Sequence, residues 1–353
     1  MGEKVLMKGN EAIAEAAIRA GCKMFFGYPI TPQTELAAYM AKRLPKIGGV
    51  FLQAESEVAA INMVYGAASA GKRVLTSSSS PGVSLKQEGI SYIAGSDLPC
   101  VIINIVRGGP GLGGIQPAQS DYFQACKGGG HGDYHLIVLA PGSIQEIVDI
   151  TKDAFELSEK YRMPVMIMGD GMLGQMMEPI EFGEETEVVV PERDYATNGT
   201  QMKRPHNIIN SLYIEPSELE KTVLERYERY KKVEENETRV EEYMLDDAEY
   251  VIAAYGTIAR VAKTAIANLR KEGIKVGLIR PITLWPFPSA SFAKAADKVK
   301  GILDVEMSMG QMVEDVRLSV NGKCPVEFFG RTGGVIPTPG EICDALKKMK
   351  EGK

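Results

Sequence analysis

Along the first 180 residues, apolar positions follow two rhythms, one typical of helices and one of buried strands. Apolar residues at helical spacing predict helices over residues 10–20, 34–43, 57–70, 85–94 and 144–160. Continuous apolar runs between them predict the strands KMFFGYP, VFLQA, PCVIINIVR and PVMIMGDG, and RVLTSSSS is predicted as a strand followed by a loop. Buried strands that alternate with helices are typical of a parallel sheet covered on both faces, so the predicted fold class is α/β.

This alternation stops for about 70 residues before a second α/β unit begins. Residues 217–247 are rich in charge, and their sparse apolar positions predict one or two amphipathic helices. We expect this connector to pack on its own subunit, and docking onto a partner chain is the alternative. The second unit is predicted to contain a helix over 258–272 and the strands YVIAAYG, KVGLIRPI, GILDVEM and PVEFFG. The predicted domains are residues 1–180, 181–248 and 249–353.

Composition narrows the class of protein. The chain has 353 residues, enough for two domains or three, and it is 44% hydrophobic and 24% charged. These values exclude a largely disordered chain. A net charge of -6 without a basic block argues against binding to nucleic acid.

Cysteine spacing and the absence of long apolar runs set further limits. No two cysteines are close enough to form a CxxC pair, so we expect neither a metal site nor an iron-sulfur cluster on this chain. No apolar run reaches 18 residues, and the first residues do not resemble a signal peptide. We therefore predict a cytoplasmic protein with reduced thiols. The cysteines are Cys22, Cys100, Cys126, Cys324 and Cys343.

Two motifs imitate cofactor fingerprints. Gly109, Gly111 and Gly114 match GxGxxG after a strand, but IQPAQSDYFQAC follows where a nicotinamide site needs a helix. These glycines are better suited to letting the backbone approach a ligand. Gly169-Asp170-Gly171 with Asn198 resembles the diphosphate-magnesium signature of thiamine enzymes. The acidic, non-helical stretch between them predicts that this match is accidental.

A serine nucleophile and a zinc site are also disfavoured. Residues 77–80 are serines and Lys86 follows, but no GxSxG elbow surrounds them. The segment HGDYH lacks acidic or thiol ligands at helical spacing. We expect ordinary hydrogen bonds for the histidines, which are His131, His135 and His206.

The strongest candidates follow the predicted strands, where ligands bind in parallel sheets. Glu55 and Glu57 stand where a strand ends and a helix begins, so each can share a proton with a basic ring nitrogen or cap the helix. Arg107 ends the most apolar strand and can pair with a carboxylate. Thr31 lies in the proline-bounded PITP and offers a rigid hydroxyl to the same anion.

Five segments carry a family resemblance, and they span essentially the whole chain. They are GYPITPQTE, QAESEVAAINMVYGAASAGKRVLTSSSSPG, INIVRGGPG, QSDYFQACKGGGHGDY and DVEMSMGQM. Together they resemble the α-type subunit of 2-oxoacid:ferredoxin oxidoreductases, above all the branched-chain enzyme that acts on 2-oxoisovalerate. The resemblance implies a pyrimidine-binding domain of a thiamine-diphosphate enzyme in residues 1–180 and a transketolase-C-like domain from about residue 249.

The resemblance also implies roles for individual residues. Glu57 matches the glutamate that hydrogen-bonds the aminopyrimidine ring of thiamine diphosphate and favours the tautomer that removes the thiazolium proton. Tyr28 and Pro29 match cofactor-binding positions. Thr31 and Arg107 match residues that contact the carboxylate of the substrate. The implied reaction is oxidative decarboxylation of a 2-oxoacid with coenzyme A and ferredoxin.

The resemblance implies a hetero-oligomer, with magnesium and iron-sulfur clusters on partner subunits. The expected partners are a β-type thiamine-diphosphate subunit, a γ-type subunit and a small ferredoxin-like iron-sulfur subunit. A 2-oxoglutarate enzyme is the first alternative, and it would need a cation for the distal carboxylate. A non-catalytic scaffold and a stand-alone nicotinamide dehydrogenase are the others. The candidate cations for the distal carboxylate of 2-oxoglutarate are Lys86, Arg73 and Lys127.

Overall fold

The computed structural model of the chain describes residues 4–183 and 188–352. Its strands are Val5–Lys8 (β1), Met24–Gly27 (β2), Val50–Gln53 (β3), Val74–Ser78 (β4), Cys100–Val106 (β5), Ile137–Leu139 (β6), Pro164–Asp170 (β7), Met177–Ile180 (β8), Val240–Tyr243 (β9), Tyr250–Ala253 (β10), Val276–Pro281 (β11), Thr283–Trp285 (β12), Ile302–Glu306 (β13) and Val326–Gly330 (β14). Its α-helices are Gly9–Arg19 (α1), Thr34–Arg43 (α2), Glu57–Ser69 (α3), Ser80–Gly95 (α4), Tyr122–Cys126 (α5), Ile144–Tyr161 (α6), Gly171–Gln175 (α7), Pro216–Asn236 (α8), Gly256–Lys271 (α9), Ser289–Ala296 (α10), Met312–Val320 (α11) and Pro339–Glu351 (α12).

The larger of the sheets has seven strands in the order β12-β6-β7-β5-β4-β2-β3. Neighbouring strands run parallel, except that β12 pairs antiparallel with β6. Every residue of β5 and β7 is buried, as in strands covered on both faces. The predicted parallel sheet of the first α/β unit is therefore confirmed.

The smaller sheet lies in the second half of the chain. Its order is β14-β13-β10-β11-β9, and only β9 runs antiparallel to its neighbour. The antiparallel pair of β1 and β8 forms a separate two-stranded sheet. Strands β1, β6, β8, β9 and β12 are absent from the sequence-based expectation.

Serine caps explain why several helices begin where the sequence predicts. The Ser56 side chain accepts the N–H of Ala59 at 3.1 Å at the start of α3, and Ser143 accepts the N–H of Glu146 at 3.1 Å at the start of α6. Helix α6 ends at Arg162, whose φ of 47° takes the chain out of the helix. The predicted helices at residues 34–43, 57–70 and 144–160 are confirmed within one residue at each end.

Helix α4 begins five residues earlier than predicted. Pro81 stands in its first turn, where its missing N–H costs nothing. The N–H of Ser80 is satisfied by Asn104 Oδ1 at 3.1 Å. The serine run that looked like a loop is thus partly the start of a helix, and this places the first turn of α4 beside the ends of β4 and β5.

The connector contains one long helix and then a strand. Helix α8 packs on its own chain through Arg226, whose Nε donates to Asp97 Oδ1 at 2.9 Å, and through Tyr230, which lies edge-on to Trp285. This confirms the expected packing on the same subunit. The prediction that helix extends to residue 247 is wrong, because residues 240–243 pair as β9 with β11 and gain sheet hydrogen bonds.

Side chains lock the two α/β units together. The Nε2 of Gln119 donates to the carbonyl of Tyr255 at 3.0 Å, and its Oε1 accepts the N–H of Met307 at 2.9 Å. The hydroxyl of Tyr122 donates to Asp315 Oδ2 at 2.5 Å. Because β12 also completes the larger sheet, the units share both a strand and a buried polar interface.

Burial protects most of the thiols. The cysteines of the described chain are free, and burial raises the pKa of Cys22 and of Cys100 to about 12. These thiols therefore stay protonated near neutral pH. Among the described residues, no helix combines the length and apolar character that crossing a membrane requires.

Candidate functional site

The carboxyl ends of β5, β4, β2 and β3 are adjacent along one edge of the larger sheet. We call this edge the rim, and it comprises residues 28–33, 54–57, 79–82 and 107–114. Because the four strands are parallel, the loops that follow them meet at the same edge. The fold therefore brings together the loops that the sequence singled out.

Two glutamates in the rim occupy very different environments. Glu57 is the first residue of α3 and is only 6% exposed, whereas Glu55 is exposed. The cap of this helix is Ser56, so neither glutamate side chain is needed to bond the first N–H groups. Burial thus separates the two candidates and leaves Glu57 as the one held inside the rim.

The first turn of α4 closes against the Glu57 side chain. A Cβ atom added at Gly82 would lie 2.6 Å from Glu57 Oε1 and 2.2 Å from Ser78 Oγ, which no real side chain tolerates. Glycine is therefore what permits this approach. In the described part of the chain, the Glu57 carboxylate accepts no hydrogen bond, which leaves its oxygens available to a ligand.

Arg107 and Thr31 meet in the rim. Arg107 is 6% exposed; its Nη1 donates to the carbonyl of Thr31 at 2.8 Å and its Nη2 to the carbonyl of Leu112 at 3.0 Å. Among the described residues, its buried Nε has no hydrogen-bond partner. The guanidinium is thus fixed by two loops, and its Nε–H is among the donors that remain unused.

A buried polar cluster behind Arg107 escaped the sequence analysis. Asp121 Oδ2 accepts the hydroxyl of Ser80 at 2.7 Å and the amide of Asn104 at 2.9 Å, and the backbone N–H of Arg107 donates to Ser80 Oγ at 3.1 Å. Burial raises the pKa of Asp121. The available signal was Asn104 itself, the one polar side chain within an otherwise apolar strand.

The loop of residues 28–33 is tied down by a buried amide. Gln33 Nε2 donates to the carbonyl of Tyr28 at 3.4 Å, and its Oε1 accepts the hydroxyl of Ser77 at 2.6 Å. Tyr28 and Pro29 are exposed at the tip of this loop, and Thr31 is exposed beside Arg107. The loop therefore presents the side chains of all three residues at a fixed edge of the rim.

The three cations considered for a second substrate carboxylate are otherwise engaged. Arg73 forms a forked ion pair with Glu159, with contacts of 2.6 and 2.8 Å, at the amino end of β4 and so at the opposite edge of the sheet. Lys127 pairs with Asp315 of the second unit. Lys86 is fully buried beneath the rim and hydrogen-bonds two oxygen atoms of β4. None of these three side chains is presented to a ligand in the rim.

The structure rejects the nicotinamide fingerprint. After β5 the chain makes a turn in which the N–H of Gly114 donates to the carbonyl of Gly108 at 2.8 Å. The next helix, α5, begins only at Tyr122. The glycines of this turn thus have no helix N-terminus to offer a dinucleotide.

Asp170 and Asn198 lie at opposite edges of the larger sheet. Asp170 ends β7 and caps α7 by accepting the N–H groups of Met172 and Leu173 at 2.9 and 3.1 Å. Asn198 accepts from Arg204 at 2.9 Å and lines a cavity near the amino ends of β2 and β4. They cannot share a magnesium ion in this fold, so the prediction that this match is accidental is confirmed.

The histidines lie outside the rim. His135 stacks on Trp285 with ring centroids 4.5 Å apart, and burial lowers its pKa. His131 and His206 are exposed. Within the described chain, no group of three potential ligands is placed to hold a metal ion.

Family models match both units. Residues 15–245 match the model "Pyruvate flavodoxin/ferredoxin oxidoreductase, thiamine diP-bdg", and residues 248–342 match "Pyruvate:ferredoxin oxidoreductase core domain II". The first match alone spans more than half of the chain. It includes all of the rim.

Known proteins similar to this chain carry related names. The ketoisovalerate oxidoreductase subunit VorB of Methanothermobacter thermautotrophicus is 50% identical, over 98% of this chain and 97% of its own length. The 2-oxoglutarate synthase subunit KorA of the same organism is 36% identical, over 99% of this chain and 100% of its own. A solved 2-oxoglutarate:ferredoxin oxidoreductase from Magnetococcus marinus is similar in structure, with a TM-score of 0.89 and 30% identity; the match covers 98% of this chain and 65% of that longer chain. The chain belongs to the 2-oxoacid:ferredoxin oxidoreductase family, as its motifs predicted.

Proposed function

We propose that the chain is a subunit of a branched-chain 2-oxoacid:ferredoxin oxidoreductase and supplies the half of the thiamine-diphosphate site that binds the pyrimidine ring. The complex converts 2-oxoisovalerate, coenzyme A and oxidised ferredoxin into the acyl-coenzyme A, carbon dioxide and reduced ferredoxin. Identity supports this substrate class, because it is 50% to a ketoisovalerate oxidoreductase subunit and 36% to a 2-oxoglutarate synthase subunit.

The observation that carries the proposal is the buried Glu57 carboxylate, which accepts no hydrogen bond in the described chain and stands at the carboxyl edge of a parallel sheet. Such a group fits an aminopyrimidine ring, whose ring nitrogen shares a proton with it. Bound thiamine diphosphate supplies the nucleophilic carbon and the electron sink that decarboxylation of a 2-oxoacid needs. Glu57 holds the shared proton in a place from which water is largely excluded.

Arg107 and Thr31 bind the carboxylate of the 2-oxoacid in this proposal. The guanidinium is already oriented by two backbone carbonyls, so little side-chain entropy is lost when its unused N–H donors meet an anion. The exposed hydroxyl of Thr31 adds a second donor on the same loop. Tyr28 and Pro29, exposed on that loop, contact the pyrimidine ring.

The rim is one half of a site. Asp170 caps a helix and Asn198 lies at the far edge of the sheet, so neither can hold the diphosphate. We assign the diphosphate and its magnesium to a β-type subunit, and the iron-sulfur clusters to a small ferredoxin-like subunit. A γ-type subunit completes the proposed complex, which we place in the cytoplasm. Residues 1–180 and 249–353 are the proposed pyrimidine-binding and transketolase-C-like domains.

The engaged cations favour a branched-chain substrate over 2-oxoglutarate. A distal carboxylate requires a positive charge, and Arg73, Lys86 and Lys127 are each held elsewhere. An isopropyl group needs no such partner. The 2-oxoglutarate enzyme remains the alternative that the substrate test must exclude.

The test is anaerobic co-expression with the partner genes, purification of the complex and a panel of 2-oxoacids with a viologen acceptor. We expect coenzyme A-dependent reduction with 2-oxoisovalerate, at a kcat/KM at least about tenfold above that for 2-oxoglutarate. Preference for 2-oxoglutarate would replace the substrate and keep the family. A chain that purifies alone, or a complex inert to every 2-oxoacid, would remove the function.

A further inference from the structure

Lys86 is a fully buried lysine beneath the proposed catalytic group. It follows Gly82 by one helical turn on α4, so it lies on the same helix face that closes against Glu57. Its Nζ donates to Thr76 Oγ1 at 2.6 Å and to the carbonyl of Ser77 at 3.1 Å. In the described part of the chain the ammonium group forms no ion pair.

A buried ammonium without an ion pair is costly, and an apolar side chain of the same length would usually be more stable there. Burial lowers the pKa of Lys86 to about 7, and the charge of Glu57 acts against this shift. The other titratable group that acts on Lys86 is Cys100 of β5, which is protonated because burial raises its pKa to about 12. In the described chain, the charged group that faces the ammonium from the neighbouring elements is therefore Glu57.

The lysine also supports the rim loop of residues 28–33. Ser77, whose carbonyl accepts from Lys86, donates its own hydroxyl to Gln33 at 2.6 Å. Gln33 in turn holds the carbonyl of Tyr28. Lys86 is thus connected through hydrogen bonds to the loop of residues 28–33.

We propose that Lys86 is a positioning residue whose buried positive charge stabilises the negative charge of the Glu57 carboxylate. The inference rests on the proposed function of Glu57. Opposite charges in a region of low dielectric constant each favour the ionised form of the other. The lysine therefore extends the activity of the complex toward low pH without touching substrate or cofactor.

The test is the pH profile of kcat/KM for 2-oxoisovalerate, measured on the assembled complex with Lys86→Met. Methionine keeps the length of the side chain and removes the charge. We expect the acid limb of the profile to move to higher pH by at least about half a unit, with the loss of activity confined to the acid side of the profile. A purely structural role would lower activity equally at all pH values.

Two further variants make the test secure. Thr76→Val removes one oxygen acceptor from the ammonium group with little change in shape, so the acid limb should move in the same direction by a smaller amount. Lys152→Met removes a positive charge from an exposed position on α6 and should leave the profile unchanged. If Lys86→Met prevents assembly, the profile of Thr76→Val decides.

An assembled Lys86→Met complex with the wild-type pH profile would overturn the inference, and so would an unchanged profile for Thr76→Val where only that variant assembles. Failure of the proposed function gives a different result, because the wild-type complex would then show no 2-oxoacid activity or Glu57→Gln would remain fully active. In the first case Lys86 loses its role and the enzyme remains. In the second, both proposals fall.

Discussion

The two parallel sheets differ in what their carboxyl edges present. At the rim of the larger sheet, the Glu57 carboxylate and the Nε of Arg107 are buried without hydrogen-bond partners in the described chain. At the same edge of the smaller sheet, Glu306 ends β13 and accepts the N–H groups of Gln311 and Val313 at 3.0 and 3.1 Å. One glutamate has spare bonding capacity, whereas the other is used to start helix α11.

The difference shows which edge is built for a ligand. A buried polar group that the protein satisfies stabilises the fold, and one that the protein leaves open is available to a bound molecule. Asp304 of the smaller sheet tests this rule, because neither of its carboxylate oxygens forms a hydrogen bond with any residue that the structure describes. It is completely buried, and burial followed by the charge of Glu306 raises its pKa well above the ordinary value. Asp304 is therefore a neutral acid enclosed in the core, whereas Glu57 lies at the edge of a sheet, where a ligand can reach it.

Replacing Glu57 by glutamine is the strongest test of the difference between the two sheet edges. The amide keeps the shape and cannot exchange the proton, so we expect turnover of the assembled complex to fall by about 10³. Glu55→Gln changes an exposed carboxylate two residues away and should stay within about twofold of wild type. If Glu57→Gln kept most of its activity, the carboxylate would be structural and the scaffold alternative would be favoured.

Changing Arg107 should have the next largest effect, and on one substrate only. A hydrogen bond to a charged group contributes about 1.5–3 kcal/mol, so Arg107→Met should lower kcat/KM for the 2-oxoacid by about 10–100-fold. Lysine should restore little, because one ammonium cannot reach two loop carbonyls and an anion together. Steady-state kinetics with each substrate varied in turn provides the measurement. An equal rise in the KM for coenzyme A would contradict the assignment.

Gly82→Ala should test whether the position of the Glu57 carboxylate matters, because it leaves that carboxylate chemically unchanged. The new Cβ would push the side chains of Ser78 and Glu57 away from the first turn of α4, and we expect about a tenfold loss of activity with a lower Tm. Gly66→Ala is the matched control on α3, since nothing lies within 4 Å of its new Cβ. There the substitution should stabilise the fold by about 0.5–1 kcal/mol and leave activity unchanged. Equal effects of the two variants would mean that the contact with Glu57 is unimportant.

Much of this architecture could be predicted from local sequence because its long elements carry complete periods. Helix α6 has five turns of apolar stripe, and β5 is apolar at all but one of its seven positions. The antiparallel edge strands β9 and β12 could not be predicted in this way. Each joins its sheet through pairing with residues distant in sequence, β9 with β11 and β12 with β6.

The residues of the site also fall into those that local sequence could identify and those that depend on the complete fold. Glu57, Arg107 and Thr31 could be chosen from the sequence because Glu57 begins a predicted helix, Arg107 ends a predicted strand and Thr31 lies shortly after one. Gln33 and Asp121 could not, because they bond the rim from loops whose positions depend on the complete fold. Lys86 was visible only as a cation; its burial and its lack of an ion pair became evident when α4 was placed against β4.

Asp304→Asn should have the smallest effect on activity. It is also the best test of whether the carboxyl edge of the smaller sheet has only a structural role. The folded state holds the Asp304 proton more tightly than the unfolded chain does, so the wild-type complex loses stability as pH rises above about 4 toward the folded-state pKa. The amide carries no such proton, and the Tm of the variant relative to wild type should therefore increase between pH 5 and pH 8. Asp344→Asn, at an exposed position of α12, should show no such trend. A pH-independent difference would mean that Asp304 is ionised in the fold, and a loss of turnover above about twofold would mean that the smaller sheet also serves the reaction.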